Sequence, residues 1–353
     1  MTFGAVCSPA SAQYVMRRNA DKFRHSAPDA VTAIHDKHYM DDYFDSMPTA
    51  EEAAQRIKEV SQIQEAGGFS IRGWVSNSPD ALAAVPPDIC SPSVVTISGD
   101  NETVVEKTLG LKWLPGEDAF GFRLSRRLEQ SNTTEVTKRE VLRKLMSVFD
   151  PLGFFTYYTT SARILLQDIW RTGVGWDEPL PGPLVQRWTD WWTGVHNLGS
   201  RSIPRCYCTA IADRKDLELH VFGDASESAF AAAAYFRLSL PDDSTRVAFV
   251  FGKSRVAPLK PISIPRLELQ AALMASRMAD TVRKEHDLPI DCIVLWSDSM
   301  TALRWIRADA RRFKPFVAHR IREIEELTDV SQWRWVPTHS NPADAATRAP
   351  PET

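Results

Sequence analysis

The spacing of apolar positions is most regular in the last third of the chain. Leu217, Leu219 and Val221 alternate with Glu218 and His220 up to Gly223-Asp224, the two-residue period of a half-buried strand. A run of small residues over 228–238 and a further stretch over 245–254 predict two more strands. After the loop Pro258-Leu259-Lys260-Pro261 the period lengthens to that of a helix, from about 265 to 285. The uninterrupted apolar run Cys292-Ile293-Val294-Leu295-Trp296 predicts a strand buried on both faces. Helices at about 300–307 and 314–327, a short strand at 332–336 and a closing helix from about Pro342 complete the order βββαβαβα. Three strands in succession form an antiparallel meander, and strands reached through helices join the same sheet in parallel. This region therefore reads as α/β.

The N-terminal part reads as α+β. Residues 1–79 contain a helical-looking opening, an acidic tetrapeptide and an alanine-rich amphipathic segment over 51–64. The prolines from Pro79 to Pro92 predict an irregular connection. Strand-like alternation follows around 107–113. Thr137 then stands three residues before Glu140, the spacing of a capping box, and starts a helix through Leu142, Leu145 and Met146. Asp150-Pro151-Leu152-Gly153 ends it, and another helix runs from about 160 to 171. Trp188, Trp191 and Trp192 fall on one helix face. Core packing is the plain reading of that face, and a stacking surface for bases is the alternative. The domain expectation is 1–79, 80–212 and 213–353.

Composition narrows the classes. Of the 353 residues, 43% are hydrophobic and 25% charged, which excludes wholesale disorder. No apolar run approaches the roughly 18–20 residues of a membrane span, and the N-terminus lacks the pattern of a signal peptide. The expectation is an intracellular protein, of cytoplasm or nucleus, with no membrane contact and no targeting signal. A net charge of −3 argues against a uniformly basic nucleic-acid binder but leaves room for a local basic track. Cys7, Cys90, Cys206, Cys208 and Cys292 are odd in number and scattered, which fits a reducing compartment and disfavours structural zinc.

Four acids stand where the element order brings chain segments together. Asp224 ends the first strand, Glu268 lies near the start of the long helix, Asp298 follows the apolar strand, and Asp344 opens the last helix. Acids beyond the ends of adjacent parallel strands share one rim of the sheet. Four converging carboxylates repel unless divalent cations neutralise them. Mg2+ (or Mn2+) suits oxygen ligands, and a pair of ions can activate water and stabilise a leaving oxygen. Capping is the plain reading for any one of these acids, but not for four in this order.

The motifs Val221-Phe222-Gly223-Asp224-Ala225-Ser226, Pro265-Arg266-Leu267-Glu268-Leu269-Gln270-Ala271, Leu295-Trp296-Ser297-Asp298-Ser299 and Asn341-Pro342-Ala343-Asp344 resemble a ribonuclease H domain. They are most similar to the domain in Pol polyproteins of Bel/Pao-type LTR retrotransposons. The resemblance implies a ribonuclease H-like mixed sheet and Mg2+-dependent cleavage of RNA in an RNA–DNA hybrid. Asp224, Glu268, Asp298 and Asp344 would be its metal-binding, catalytic acids. The family's mobile histidine has one counterpart, His339, only five residues before Asp344; it is either a functional group or a plain loop residue.

His38-Tyr39-Met40-Asp41-Asp42-Tyr43 suits a tight hairpin that presents two carboxylates to Mg2+. Phe3-Gly4-Ala5-Val6-Cys7-Ser8-Pro9 and Leu109-Gly110-Leu111-Lys112-Trp113 resemble segments that flank this hairpin in reverse transcriptases. Thr137-Lys138-Arg139, Phe149-Asp150-Pro151-Leu152-Gly153 and Trp176-Asp177-Glu178 resemble the Pao-type pattern after the palm. Tyr39, Met40, Asp41 and Asp42 would then belong to a palm remnant, followed by a thumb or connection-like region. The third polymerase acid would lie upstream of Phe3, so the site is incomplete. The chain reads as an internal Pol fragment that does not polymerise DNA by itself.

Arg304, Arg307, Arg311, Arg312, Lys314, Arg320 and Arg322 form a basic track, interrupted by Asp309 and interleaved with Trp305 and Phe313. Such a track can hold phosphates and stack on sugars or bases, or can be a solvated helical face. Partners implied are an RNA–DNA hybrid and other parts of a Pol polyprotein. Rival readings are an inactive nucleic-acid-binding remnant and a polymerase part completed by another chain.

Overall fold

The computed structural model describes residues 6–83, 85–91, 106–108, 111–121, 135–198 and 201–348. Residues 3–5 and 109–110, within two of the motifs above, lie outside them. The chain divides into two compact units, Met1–Thr108 with Lys112–Ala119, and Leu109–Leu111 with Phe120–Thr353. No helix among the described residues is long and apolar enough to cross a membrane. The five cysteines are unpaired thiols.

The first unit begins with α1 (Ser8–Ala20) and α2 (Pro28–Asp36), followed by a hairpin of β1 (His38–Tyr39) and β2 (Asp42–Tyr43). The alanine-rich segment is α3 (Ala50–Ala66), opened by the Thr49 hydroxyl, which accepts the Glu52 N–H at 3.2 Å. Met16, Val31, Ile34, Val60, Ile63 and Trp74 make its core. The proline stretch is not wholly irregular, since α4 (Pro79–Ala83) begins on Pro79. A missing N–H costs nothing in a first helical turn. Short strands β3 (Glu106–Thr108), β4 (Leu111–Leu114), β5 (Ala119–Gly121) and β6 (Ser202–Pro204) follow along the chain.

The second unit holds a helical layer and a sheet. The layer is α5 (Lys138–Ser147), α6 (Thr156–Arg171) and α7 (Gly182–Leu198). Thr137 caps α5 as its spacing predicts, accepting the Glu140 N–H at 3.3 Å. Trp188 and Trp191 are buried and stacked, ring centroids 5.0 Å apart, and Trp191 donates its indole N–H to the Tyr158 carbonyl at 2.7 Å. The tryptophan face is thus core, not a base-stacking surface.

The five-stranded sheet runs β11–β10–β7–β8–β9, from β7 (Asp216–Ala225), β8 (Ala229–Ser239), β9 (Thr245–Val256), β10 (Cys292–Ser297) and β11 (Trp333–Trp335). The first three are antiparallel, and β10 joins β7 and β11 in parallel. This is the mix of antiparallel and parallel pairing that the sequence predicts. Helices α8 (Ile264–Glu285), α9 (Met300–Ile306) and α10 (Pro315–Leu327) close the core around Leu219, Val221, Leu269, Leu295, Leu303 and Ile321. Gly223 lets α8 approach closely: a Cβ would sit 3.1 Å from the Ala271 carbonyl oxygen.

Two expectations are corrected. First, β10 is not buried on both faces: Leu295 and Ser297 are buried, but Val294 and Trp296 are only half-buried and Cys292 is exposed. The helices cover one face, while the other carries an aromatic row in which Trp296 stacks on Phe222 and His220. Second, the last described element is a single 3-10 turn, Asp344–Ala346, in place of a helix from Pro342. Side-chain bonds tie this segment to β7: Asn341 donates to the Gly223 carbonyl at 3.1 Å and accepts the Ala343 N–H at 3.2 Å.

On the sheet's second face, α6 packs over β9. Ser254 and Gly252 alternate with Phe251, which belongs to the α8 side. Gly252 donates its N–H to the Leu152 carbonyl at 2.9 Å, Gln167 donates to the Ala257 carbonyl at 2.7 Å, and the hydroxyls of Thr160 and Ser254 meet. The sheet is covered from both sides at this edge.

Candidate active site

The strand register sets the site. In the parallel β7–β10 pair Gly223 stands beside Ser297, so the next residues, Asp224 and Asp298, emerge at neighbouring points of one rim. Asp224 is buried at 6% exposure, and Asp298 lies in the bend between β10 and α9. Glu268, near the start of α8, is half-buried and accepts a hydrogen bond from the Ser299 hydroxyl. Ser299 is also the N-cap of α9, accepting the Ala302 N–H at 3.1 Å, so the cap aims the hydroxyl.

Asp344 arrives on the 3-10 turn. Its Oδ1 is 2.7 Å from Arg348 Nη2, an ion pair the sequence did not suggest. Three residues on, the fully buried Thr347 donates its hydroxyl to Asp224 Oδ2 at 2.6 Å and lies 2.9 Å from the Asp344 carbonyl. The Thr347 carbonyl accepts the Ser226 hydroxyl at 2.7 Å.

The acids share one electrostatic field. Burial pushes Asp224 up to about 6; the Thr347 hydroxyl opposes this, and the charges of Asp298 and Asp344 add to it. Burial also raises Glu268, against the Ser299 hydroxyl and with the charge of Asp298. Asp298 thus acts on both acids. Among the described residues no lysine or arginine pairs with Asp224, Glu268 or Asp298, while Arg348 holds only Asp344. Nor, among the described residues, do any three carboxylates, histidines or cysteines form a ready-made metal cage. The donor set still fits a hard divalent cation, because an all-oxygen group raised by burial and mutual repulsion is what such an ion relieves.

His339 is exposed on the Thr338–Ser340 turn. The basic track follows α9 and the start of α10: Arg304, Arg307, Arg311, Arg312 and Lys314 are all exposed. Not all are equally available. Arg311 binds Asp309 with both groups of its fork, Arg307 reaches the Trp333 carbonyl at 3.4 Å, and Arg320 packs 3.6 Å above the Phe316 ring.

In the first unit, the predicted hairpin is present. Its turn is Met40-Asp41, Met40 takes a left-handed φ of 57°, and Tyr39 and Met40 are 61% and 54% exposed. Asp41 and Asp42 are exposed as well. Tyr43 anchors the hairpin, its ring edge-on to Trp74 at 5.7 Å.

Sequence reading named Ser299 and Asn341 only within motifs, with no role, and singled out neither Thr347 nor Arg348. The available signal was small: a hydroxyl next to Asp298, and a hydroxyl and an arginine three and four residues after Asp344.

A family model described as "Pao retrotransposon-like RNaseH-like domain" matches residues 137–299. The match takes in α5–α8 and Asp224, Glu268 and Asp298; Asp344 and the hairpin lie outside it. No curated protein matches the chain. Among solved structures, RNase H1 from the halophilic archaeon Halobacterium salinarum NRC-1 is 17% identical, over 36% of this chain and 90% of its own, at a TM-score of 0.24. LC11-RNase H1 in complex with RNA/DNA hybrid is 11% identical, over 36% and 89%, at 0.25. The foamy viral protease-reverse transcriptase dRH in complex with ds DNA is 12% identical, at 0.47; 92% of this chain is covered, but only 49% of the viral one.

Proposed function

We propose that the C-terminal unit is a metal-dependent ribonuclease H that cleaves the RNA strand of RNA–DNA hybrids, in a chain derived from a Bel/Pao-type retrotransposon Pol. The observation that carries this reading is the meeting of Asp224 and Asp298 at adjacent parallel strand ends, with Glu268 in the same field. The family match over the segment holding these three acids supports it.

Asp224, Glu268, Asp298 and Asp344 would hold the metal. Bound Mg2+ supplies an activated water and charge stabilisation at the leaving oxygen. The residues themselves do the positioning. A hydroxyl engages one oxygen of Asp224 and one of Glu268, which sets how each carboxylate would face the cation. Asp344 must exchange Arg348 for the cation, an exposed partner and so a weak competitor. Arg304, Arg307, Arg312 and Lys314 take the phosphates of the hybrid, which is recognised by shape and 2′-hydroxyls more than by sequence.

The hairpin Tyr39-Met40-Asp41-Asp42 belongs to a reverse transcriptase palm in this reading. Its two carboxylates are exposed, with no third beside them among the described residues. The test is release of labelled RNA from a hybrid with Mg2+. Wild type cleaves and Asp224→Asn loses at least about 100-fold in rate, the scale of losing one preorganised electrostatic group; the same preparation extends no primer. Equal rates in the two proteins overturn the assignment, and hybrid binding without turnover in wild type leaves the inactive binding remnant as the better account.

A further inference from the structure

We infer that Thr347 is a positioning residue of the site, registering the fourth acid's turn against the first acid and fixing how the Asp224 carboxylate faces a cation. The inference rests on the nuclease reading above and adds a residue outside both the four acids and the family match.

Thr347 has no exposed surface, and its hydroxyl has one proton to give. The nearest acceptor is Asp224 Oδ2 at 2.6 Å, with the Asp344 carbonyl at 2.9 Å behind it. One side chain therefore touches the first acid and the backbone of the fourth, 120 positions apart in the chain. The turn is fastened at two further points: Ser226, two residues after Asp224, donates to the Thr347 carbonyl at 2.7 Å, and Asn341 donates to the Gly223 carbonyl at 3.1 Å. Both anchors lie on or directly beyond the end of β7, so β7 and the turn move as one piece. The turn also packs against β8 and α6.

A helix would hold such an acid by its own backbone bonds. Here the element is a single 3-10 turn, too short to hold itself. Side-chain bonds to β7 must do so, and Thr347 is the one that ends on a carboxylate. Together with the Ala225 N–H, Thr347 holding Oδ2 fixes the rotation of the Asp224 carboxylate. Ser299 does the same for Glu268 by holding Oε2. Two acids each held by a hydroxyl make a defined donor pair in place of two freely rotating carboxylates. A partner of this kind typically contributes about 10–100-fold to metal affinity.

The experiment is Mn2+ titration of the intact chain by calorimetry, with no nucleic acid present, alongside circular dichroism and thermal melts. Thr347→Val keeps the shape and removes the hydroxyl, and is expected to weaken Mn2+ binding about 10-fold. Thr347→Ser restores the hydroxyl and is expected to recover most of the wild-type affinity, which a merely space-filling role would not do. Thr347→Ala carries the same expectation as the valine variant and decides the matter should valine disturb folding. Folded Thr347→Val or Thr347→Ala that binds Mn2+ as wild type does overturns the inference and leaves the nuclease reading intact. Wild type that binds no Mn2+, or binds it no better than Asp224→Asn, overturns the reading itself.

Discussion

Asp224 carries a charge that the fold opposes. Its ordinary pKa is near 3.8, and in the folded, metal-free protein burial and the neighbouring acids raise it to about 6. Between these values the folded chain holds a proton that the unfolded chain has lost, so stability falls as pH rises from about 4 to about 6. Above that the penalty is complete, on the order of 2–3 kcal/mol for a shift of this size. Asp224→Asn keeps an oxygen to accept the Thr347 hydroxyl and removes the charge. In EDTA the variant should therefore be more stable than wild type at pH 7 by roughly 1–3 kcal/mol, with the advantage shrinking towards pH 4. Urea unfolding at both pH values measures it. An advantage of equal size at pH 4 and pH 7 would mean that the charge is not the cause. The outcome is the opposite of what a structural Asp predicts, because removing a structural carboxylate lowers stability.

At the scale of elements, the joint between the helical layer and the sheet is made where two backbones nearly touch. Gly153 has a φ of +77°, and a Cβ there would lie 1.9 Å from the Gly252 carbonyl oxygen. Gly173 has a φ of +75° with nothing within 4 Å, which makes it an internal control. Gly173→Ala pays only for the left-handed backbone, about 1–2 kcal/mol. Gly153→Ala must also push α6 off β9 and should cost about 3 kcal/mol or more. Denaturant midpoints compare the two, and equal losses would mean that the helical layer is not pressed on the sheet. This joint was not legible in the sequence, although Asp150-Pro151-Leu152-Gly153 was singled out. Local period reports one element at a time, and nothing in it pairs Gly153 with Gly252, 99 positions away. The strand order and the rim holding Asp224 and Asp298 were legible, because alternation, apolar runs and the meander rule act locally. The exposed side of β10 was not, because an apolar run reads alike whether a helix or an aromatic row covers its second face. The closing 3-10 turn was missed for a related reason: Asn341 and Thr347 replace backbone helix bonds with bonds to another element.

For the whole molecule, the net charge of −3 conceals an uneven distribution. Arg304, Arg307, Arg311, Arg312 and Lys314 are gathered on the α9–α10 corner, with Asp309 as their sole acidic interruption. Binding of a nucleic-acid backbone through such a corner releases counterions, so affinity should fall steeply with salt. The structure separates the arginines into those available and those engaged. Arg304 and Arg312 are exposed and make no ion pair among the described residues, whereas Arg320 lies on the Phe316 ring and donates to the Phe316 carbonyl at 2.8 Å. Arg304→Ala and Arg312→Ala should each weaken hybrid binding to a similar extent on any sequence. Each should also lower the slope of log affinity against log salt by about one. Arg320→Ala should leave that slope unchanged and lower the melting temperature, because what it loses is packing. Fluorescence anisotropy of a labelled hybrid between about 50 and 200 mM salt makes the comparison. If Arg320→Ala moves the slope and the two exposed arginines do not, the phosphates follow another path over the surface, and the basic corner is a solvated helical face.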